Sequence, residues 1–212
     1  TPIIITNPNT VTGTTFSWSR TNTTNLTGIA AFDSTASISG ILTNITNVVQ
    51  TTTFTIIASA NGCDTTINTI TITVNPKPTV LALPLTQSIC GSSPFADINI
   101  SNPNNVAGTT YNWTRNNIVD VTGLSNVGSG ATISGTLQNN TNSDQNVTFD
   151  IIATAGTCPS NTTTVDVMVL PTPLITISPS TQTRCHLQAI TTINIGNSNA
   201  VSGTTYSWTR DN

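Results

Sequence analysis

Apolar and polar positions alternate along much of the chain. Val147, Phe149, Ile151 and Ala153 fall on one side of an extended segment, and Thr148, Asp150, Ile152 and Thr154 on the other. Val165, Val167 and Val169 alternate with Thr164, Asp166 and Met168, and Tyr111 and Trp113 share a face. A period of two is the signature of a β-strand with one buried side. The pattern predicts strands near 79–88, 96–101, 109–115, 131–139, 146–155 and 162–170. Turns rich in Gly, Asn and Ser, such as 101–105 and 128–130, separate them. Residues 116–130 form the longest irregular connection, with room for a short seventh strand around Ile118–Val121.

The same pattern returns at a fixed step. Gly13-Thr14-Thr15-Phe16-Ser17-Trp18 recurs as Gly108-Thr109-Thr110-Tyr111-Asn112-Trp113 and as Gly203-Thr204-Thr205-Tyr206-Ser207-Trp208, each 95 residues on. Arg20, Arg115 and Arg210 keep that step, as do Cys63 with Cys158, Cys90 with Cys185, and Phe54 with Phe149. Pro76-Lys77-Pro78 matches Pro171-Thr172-Pro173. A period of this length is too long for a solenoid unit and suits a small β-sandwich. The expected fold is therefore all-β, a tandem of immunoglobulin-like sandwiches of about 95 residues with a buried Trp, joined by short Pro-x-Pro linkers. The expected domains are 1–78, lacking an N-terminal strand; 79–173, complete; and 174–212, the start of a third. Trp18, Trp113 and Trp208 are the expected core tryptophans. Thr1 corresponds to Ala96 and Asn212 to Asn117, so the expectation is a segment of a longer array.

Composition removes whole classes of function. Only 6% of residues are charged, the net charge is −3, and all eight acids are Asp. Five scattered basic residues exclude binding to nucleic acid by phosphate neutralisation. The scarcity of Lys, Arg and Glu excludes exposed helical bundles. No apolar run is long enough to span a membrane. The 46 Thr and 26 Asn residues give a surface rich in hydrogen bonds and poor in charge.

Chemistry used by every repeat should recur at the 95-residue step. The carboxylates do not: Asp33 matches Gly128, Asp64 matches Pro159 and Asp150 matches Thr55. His186, the single His, matches Gly91. No metal cage, cofactor site or catalytic centre is expected, hence no enzyme. Lys77 is the only Lys and matches Thr172, and with no Glu nearby an internal Lys–Asn crosslink lacks its parts. The recurring Arg is expected to cover an aromatic ring or bond loop carbonyls. The phase of the repeat places Cys90 and Cys158 in one domain and predicts a disulfide between them, with Cys63 and Cys185 pairing outside the window. Such a bond implies an oxidising compartment; four reduced core cysteines are the alternative.

The run G-T-T-Y-x-W-T, then I-S-G, then F-x-I-I-A-x-A-G-x-C, then V-x-V-x-P-x-P, resembles the PKD-like, immunoglobulin-like repeats of giant cell-surface proteins in Bacteroidota. The resemblance implies an adhesin of the gliding-motility type, exported by the type IX route and displayed outside the cell. It implies O-glycosylation at Asp-Ser/Thr motifs, with Ser34 and Thr65 as candidates. The expected function is a rigid stalk or spacer. Its partners are neighbouring repeats of the chain, lateral copies in a filament, or surface polysaccharide. The rival is a glycan-binding module acting through loop 116–130.

Overall fold

The computed structural model describes residues 2–64 and 68–211, and every regular element among them is a strand. By contact density the chain divides into two compact units. One comprises Thr1–Thr79, Asn102–Thr110 and Ala153–Asn161; the other comprises Val80–Ser101, Tyr111–Ile152 and Thr162–Asn212.

The strands from Leu81 to Leu170, called here the second repeat, build a two-layered sandwich. Its larger sheet runs in the order Thr86–Cys90, Thr163–Leu170, Gln145–Ala155, Thr109–Arg115, Val127–Ser129. The first of these lies parallel to Thr163–Leu170, with Thr86 opposite Asp166 and Cys90 opposite Leu170. Against this sheet lie two three-stranded ribbons: Leu81–Leu83 with Ile98–Ser101 and Thr132–Ile133, and Ser93–Pro94 with Thr136–Asn139 and Val121–Thr122. Side chains alternate inward as the pattern predicts: Val147, Phe149 and Ile151 from one strand and Val165, Val167 and Val169 from the next are wholly buried. Phe149 is the centre of the core. The Trp113 ring meets it edge-on at 5.7 Å, and the Phe95 ring lies tilted against it at 5.9 Å. Burial of each such side chain stabilises by roughly 1.5–3 kcal/mol.

Three details differ from the sequence pattern. The single strand expected over 79–88 is two, one in each layer, because Pro84 has no N–H to continue a ladder. The strand expected over 131–139 breaks at Gly135, whose φ of +150° takes the chain from one ribbon to the other. Loop 116–130 contributes not a strand at 118–121 but a pairing of Val121–Thr122 and an edge strand, Val127–Ser129, alongside Trp113. Gly128 lies flat on the indole: a Cβ there would come within 2.1 Å of the ring.

The first repeat follows the same plan. Thr15–Arg20 pairs with Gln50–Ala60, Trp18 opposite Ile56 and Arg20 opposite Phe54, and Asn68–Val74 pairs on the far side. Trp18 packs edge-on against Phe54 at 5.7 Å. Residues beyond 173 form one hairpin, Ile175–Ser178 with Asn194–Asn197.

Trp18 and Trp113 are core residues, 5% and 7% exposed, as expected, but Trp208 is 76% exposed and lies outside any strand. The expectation that all three tryptophans are core thus fails for Trp208. Residues 174–212 supply no counterpart of Phe149 or Ile151 to cover it.

Candidate functional site

The recurring arginine is the most heavily bonded side chain described in each of the first two repeats. It ends the Trp strand, where alternation points it inward, and it is only 8% exposed at both Arg20 and Arg115. Burial of the Arg115 guanidinium lowers its pKa from the ordinary value. Its donors are taken by the carbonyls of the following loop. Arg115 Nη2 donates to Leu124 O at 2.7 Å, Nη1 to Val121 O at 3.2 Å, and Nε to Leu124 O and Ser125 O at 3.2 and 3.1 Å. In the first repeat Arg20 does the same to Leu26, Ile29 and Ala30. Of the two sequence readings, loop carbonyls are its partners. The guanidinium fixes loop 116–125 from inside, and the tip of that loop exposes Ile118 and Val119.

A second recurring device sits at the linkers. Asn104 Oδ1 accepts from the Thr79 N–H at 2.9 Å while its Nδ2 donates to Lys77 O at 2.9 Å. One period on, Asn199 Oδ1 accepts from the Leu174 N–H and Nδ2 donates to Thr172 O, both at 2.9 Å. The side-chain amide thus mimics a strand neighbour for linker backbone that proline leaves short of partners. Nothing in the sequence marks these two asparagines among 26 except their shared step. Lys77 Nζ donates to Asn161 Oδ1 at 2.7 Å.

The expected Cys90–Cys158 disulfide is not formed, and the geometry forbids it. All four cysteines are free thiols, three exposed and Cys158 half-buried. Cys90 lies beside Leu170, whereas Cys158 is opposite Ala155. The strand Gln145–Ala155 spans the distance between those ends, since Gln145 is opposite Val169. Ten residues at about 3.3 Å each give roughly 33 Å, against a Cα separation of about 4.4–6.8 Å in a disulfide. Membership of one repeat says nothing of which pole a cysteine occupies. The alternative of four buried core cysteines fails too.

Among the described residues no His, Cys, Asp or Glu gather into a metal-binding group. Ser34 is exposed, its N–H bonded to Asp33 Oδ1 at 2.7 Å; Thr65 lies outside the described residues. An apolar hollow lined by Ile3, Ile38, Leu42, Phe54 and Ile72 opens onto the first repeat's core. In the second repeat Phe95 packs over Phe149. No helix among the described residues is long and apolar enough to cross a membrane.

A family model for the PKD-like domain matches residues 4–78 and again 87–173. No curated protein matches the chain. Among solved structures, the surface layer protein SbsC, domains 1–6, is 17% identical over 77% of this chain, with a TM-score of 0.33. The protocadherin GammaB4 extracellular domain is 12% identical over 87%, also at 0.33. This chain spans 21% of the SbsC chain and 32% of the protocadherin chain, and at these scores neither bears on its role. Two in-phase matches to one domain model, covering most of the sequence, show that the chain belongs to the PKD-like domain family.

Proposed function

We propose that the chain is a structural segment of a long extracellular adhesin or surface filament, in which successive repeats act as a stiff spacer. The observation that carries this reading is what recurs. Arg20 and Arg115 hold equivalent carbonyls, Trp18 and Trp113 meet equivalent phenylalanines, and Asn104 and Asn199 hold equivalent linker backbone. Each recurring device fixes backbone or core. The carboxylates and the single His are scattered out of phase.

The proposed folding units are 1–78, 79–173 and 174–212. The Asn-bound linkers favour stiffness, since each asparagine ties two backbone groups of the linker segment to the repeat that follows. In the setting drawn from the sequence resemblance, the whole protein is a type IX-exported adhesin of Bacteroidota, working in adhesion or gliding. Ser34 and Thr65 are its candidate O-glycosylation positions, and surface polysaccharide or lateral copies are its candidate partners.

A glycan array probed with the chain separates this reading from the rival. A spacer gives no signal above that of an unrelated sandwich domain. Robust binding that is lost on Val119→Asp, at the exposed loop tip, would replace the spacer with a glycan-binding module.

A further inference from the structure

Cysteines keep the step of the repeat, yet the two within one repeat lie at opposite poles. The chain reaches the second repeat through residues 75–79 and leaves it through 171–173. Cys158 belongs to the incoming pole. Two residues before it, Gly156 lines a pocket with Val48, Asn75, Pro76, Val106 and Ala155, all within the first compact unit. Cys90 belongs to the outgoing pole, where it ends its strand beside Leu170 and the next N–H, of Gly91, donates to Leu170 O at 2.8 Å. Leu170 and Asn75 are one period apart. A strand equivalent to Thr86–Cys90, laid along Asn68–Val74 in the same register, would therefore end its cysteine beside Asn75. That places it at the wall of the pocket that Gly156 also lines.

We propose that the cysteines are modification sites that staple successive repeats head to tail. The outgoing-pole cysteine of one repeat (Cys90, Cys185) bonds to the incoming-pole cysteine of the next (the class of Cys63 and Cys158). By this rule the partner of each of the four lies outside residues 1–212, in keeping with four free thiols. It also accounts for cysteines that keep phase without meeting inside a repeat. The staple deepens the spacer reading and rests on it only through the tandem, in-phase arrangement; a negative disulfide map would leave that reading standing.

The chemistry is thiol–disulfide exchange with a low-molecular-weight disulfide as oxidant. One cysteine thiolate attacks the oxidant's S–S bond, forming a mixed disulfide and releasing one oxidant thiol. The second cysteine thiolate then displaces the other. The protein loses two protons and two electrons per staple, and the oxidant is reduced to two thiols.

Residues 1–190 fused to residues 1–212 continue the array in phase, since 190 is two periods of 95, and the product carries eight cysteines. After exposure to oxidised glutathione, disulfide peptides are mapped by mass spectrometry without reduction. The expected bonds join Cys90 to Cys63 of the second copy, and Cys185 to Cys158 of the second copy, with the other four cysteines free or held as glutathione mixed disulfides. Replacing Cys63 of the second copy by Ser should leave Cys90 with glutathione alone as a partner and keep the other bond intact. A bond within one repeat, bonds between molecules, or no cysteine–cysteine bond at all would each overturn the staple. The unfused chain gives an independent reading: under the same oxidant it should form no cysteine–cysteine bond, each thiol staying free or capped by glutathione, and a Cys90–Cys158 peptide would restore pairing within a repeat and overturn the staple.

Discussion

Arg115 shows most plainly how one side chain can hold a loop without a counter-ion. Its charge is spread over the carbonyls of residues 116–125, a stretch that pairs with another strand at Val121–Thr122 alone. Arg115→Ala would leave several buried carbonyls unpaired and should destabilise the second repeat by about 3 kcal/mol, read by urea unfolding. Lys brings one point charge in place of a fork, so Arg115→Lys should recover less than half. Asp166 offers a pH test. The Thr148 hydroxyl, and then the Asn146 amide, hold its carboxylate pKa below the ordinary value. A lowered folded-state pKa contributes stability that is present above the unfolded pKa and lost as pH falls through the folded one. Melting temperature should therefore drop more steeply below pH 4 in the wild type than in Asp166→Asn. The identity of the recurring Arg was legible from the repeat alone. Its set of partners was only half legible, because the choice between ring and carbonyls depends on how the chain turns after residue 115.

Among the elements, the long strands were readable and the short ones were not. Gln145–Ala155 and Thr163–Leu170 bury one face and so carry an alternation that names their inward residues. Val127–Ser129 is a three-residue edge strand of small side chains, and nothing in its pattern separates it from a turn. Its glycine is explained by contact: Gly128 lies against the Trp113 ring. Gly128→Ala should destabilise by roughly 2 kcal/mol through overpacking, whereas Gly108→Ala, with open space but φ +70°, should cost about 1 kcal/mol through backbone strain alone. Thermal unfolding of the two variants side by side separates these causes. The linkers are elements too. Asn104→Ala should speed hydrogen exchange of the Thr79 amide at least tenfold while the Leu174 amide, held by Asn199, is unchanged. Equal exchange at Thr79 in both proteins would show that the asparagine does not hold the linker.

For the whole molecule, the period was the decisive signal in the sequence, because the same core and linker contacts are built twice from residues 95 apart. The disulfide was the clearest misreading. Period assigns a cysteine to a repeat, but only strand direction and register assign it to a pole, and the poles of one repeat are roughly 33 Å apart. Trp208 carries a related lesson: a core residue is buried only by partners that the sequence also supplies. If each period is a self-sufficient load-bearing unit, its mechanics should be uniform. The direct measurement is single-molecule stretching, under reducing conditions, of residues 1–190 fused to 1–212, which holds three complete repeats in phase. Three equal unfolding steps are predicted, each lengthening the chain by roughly 300 Å, the extended span of about 95 residues less the folded length, beside one shorter step from the repeat at 1–78. Unequal steps among the three 95-residue repeats, a single step for the whole array, or extension without steps would contradict a spacer built from autonomous repeats.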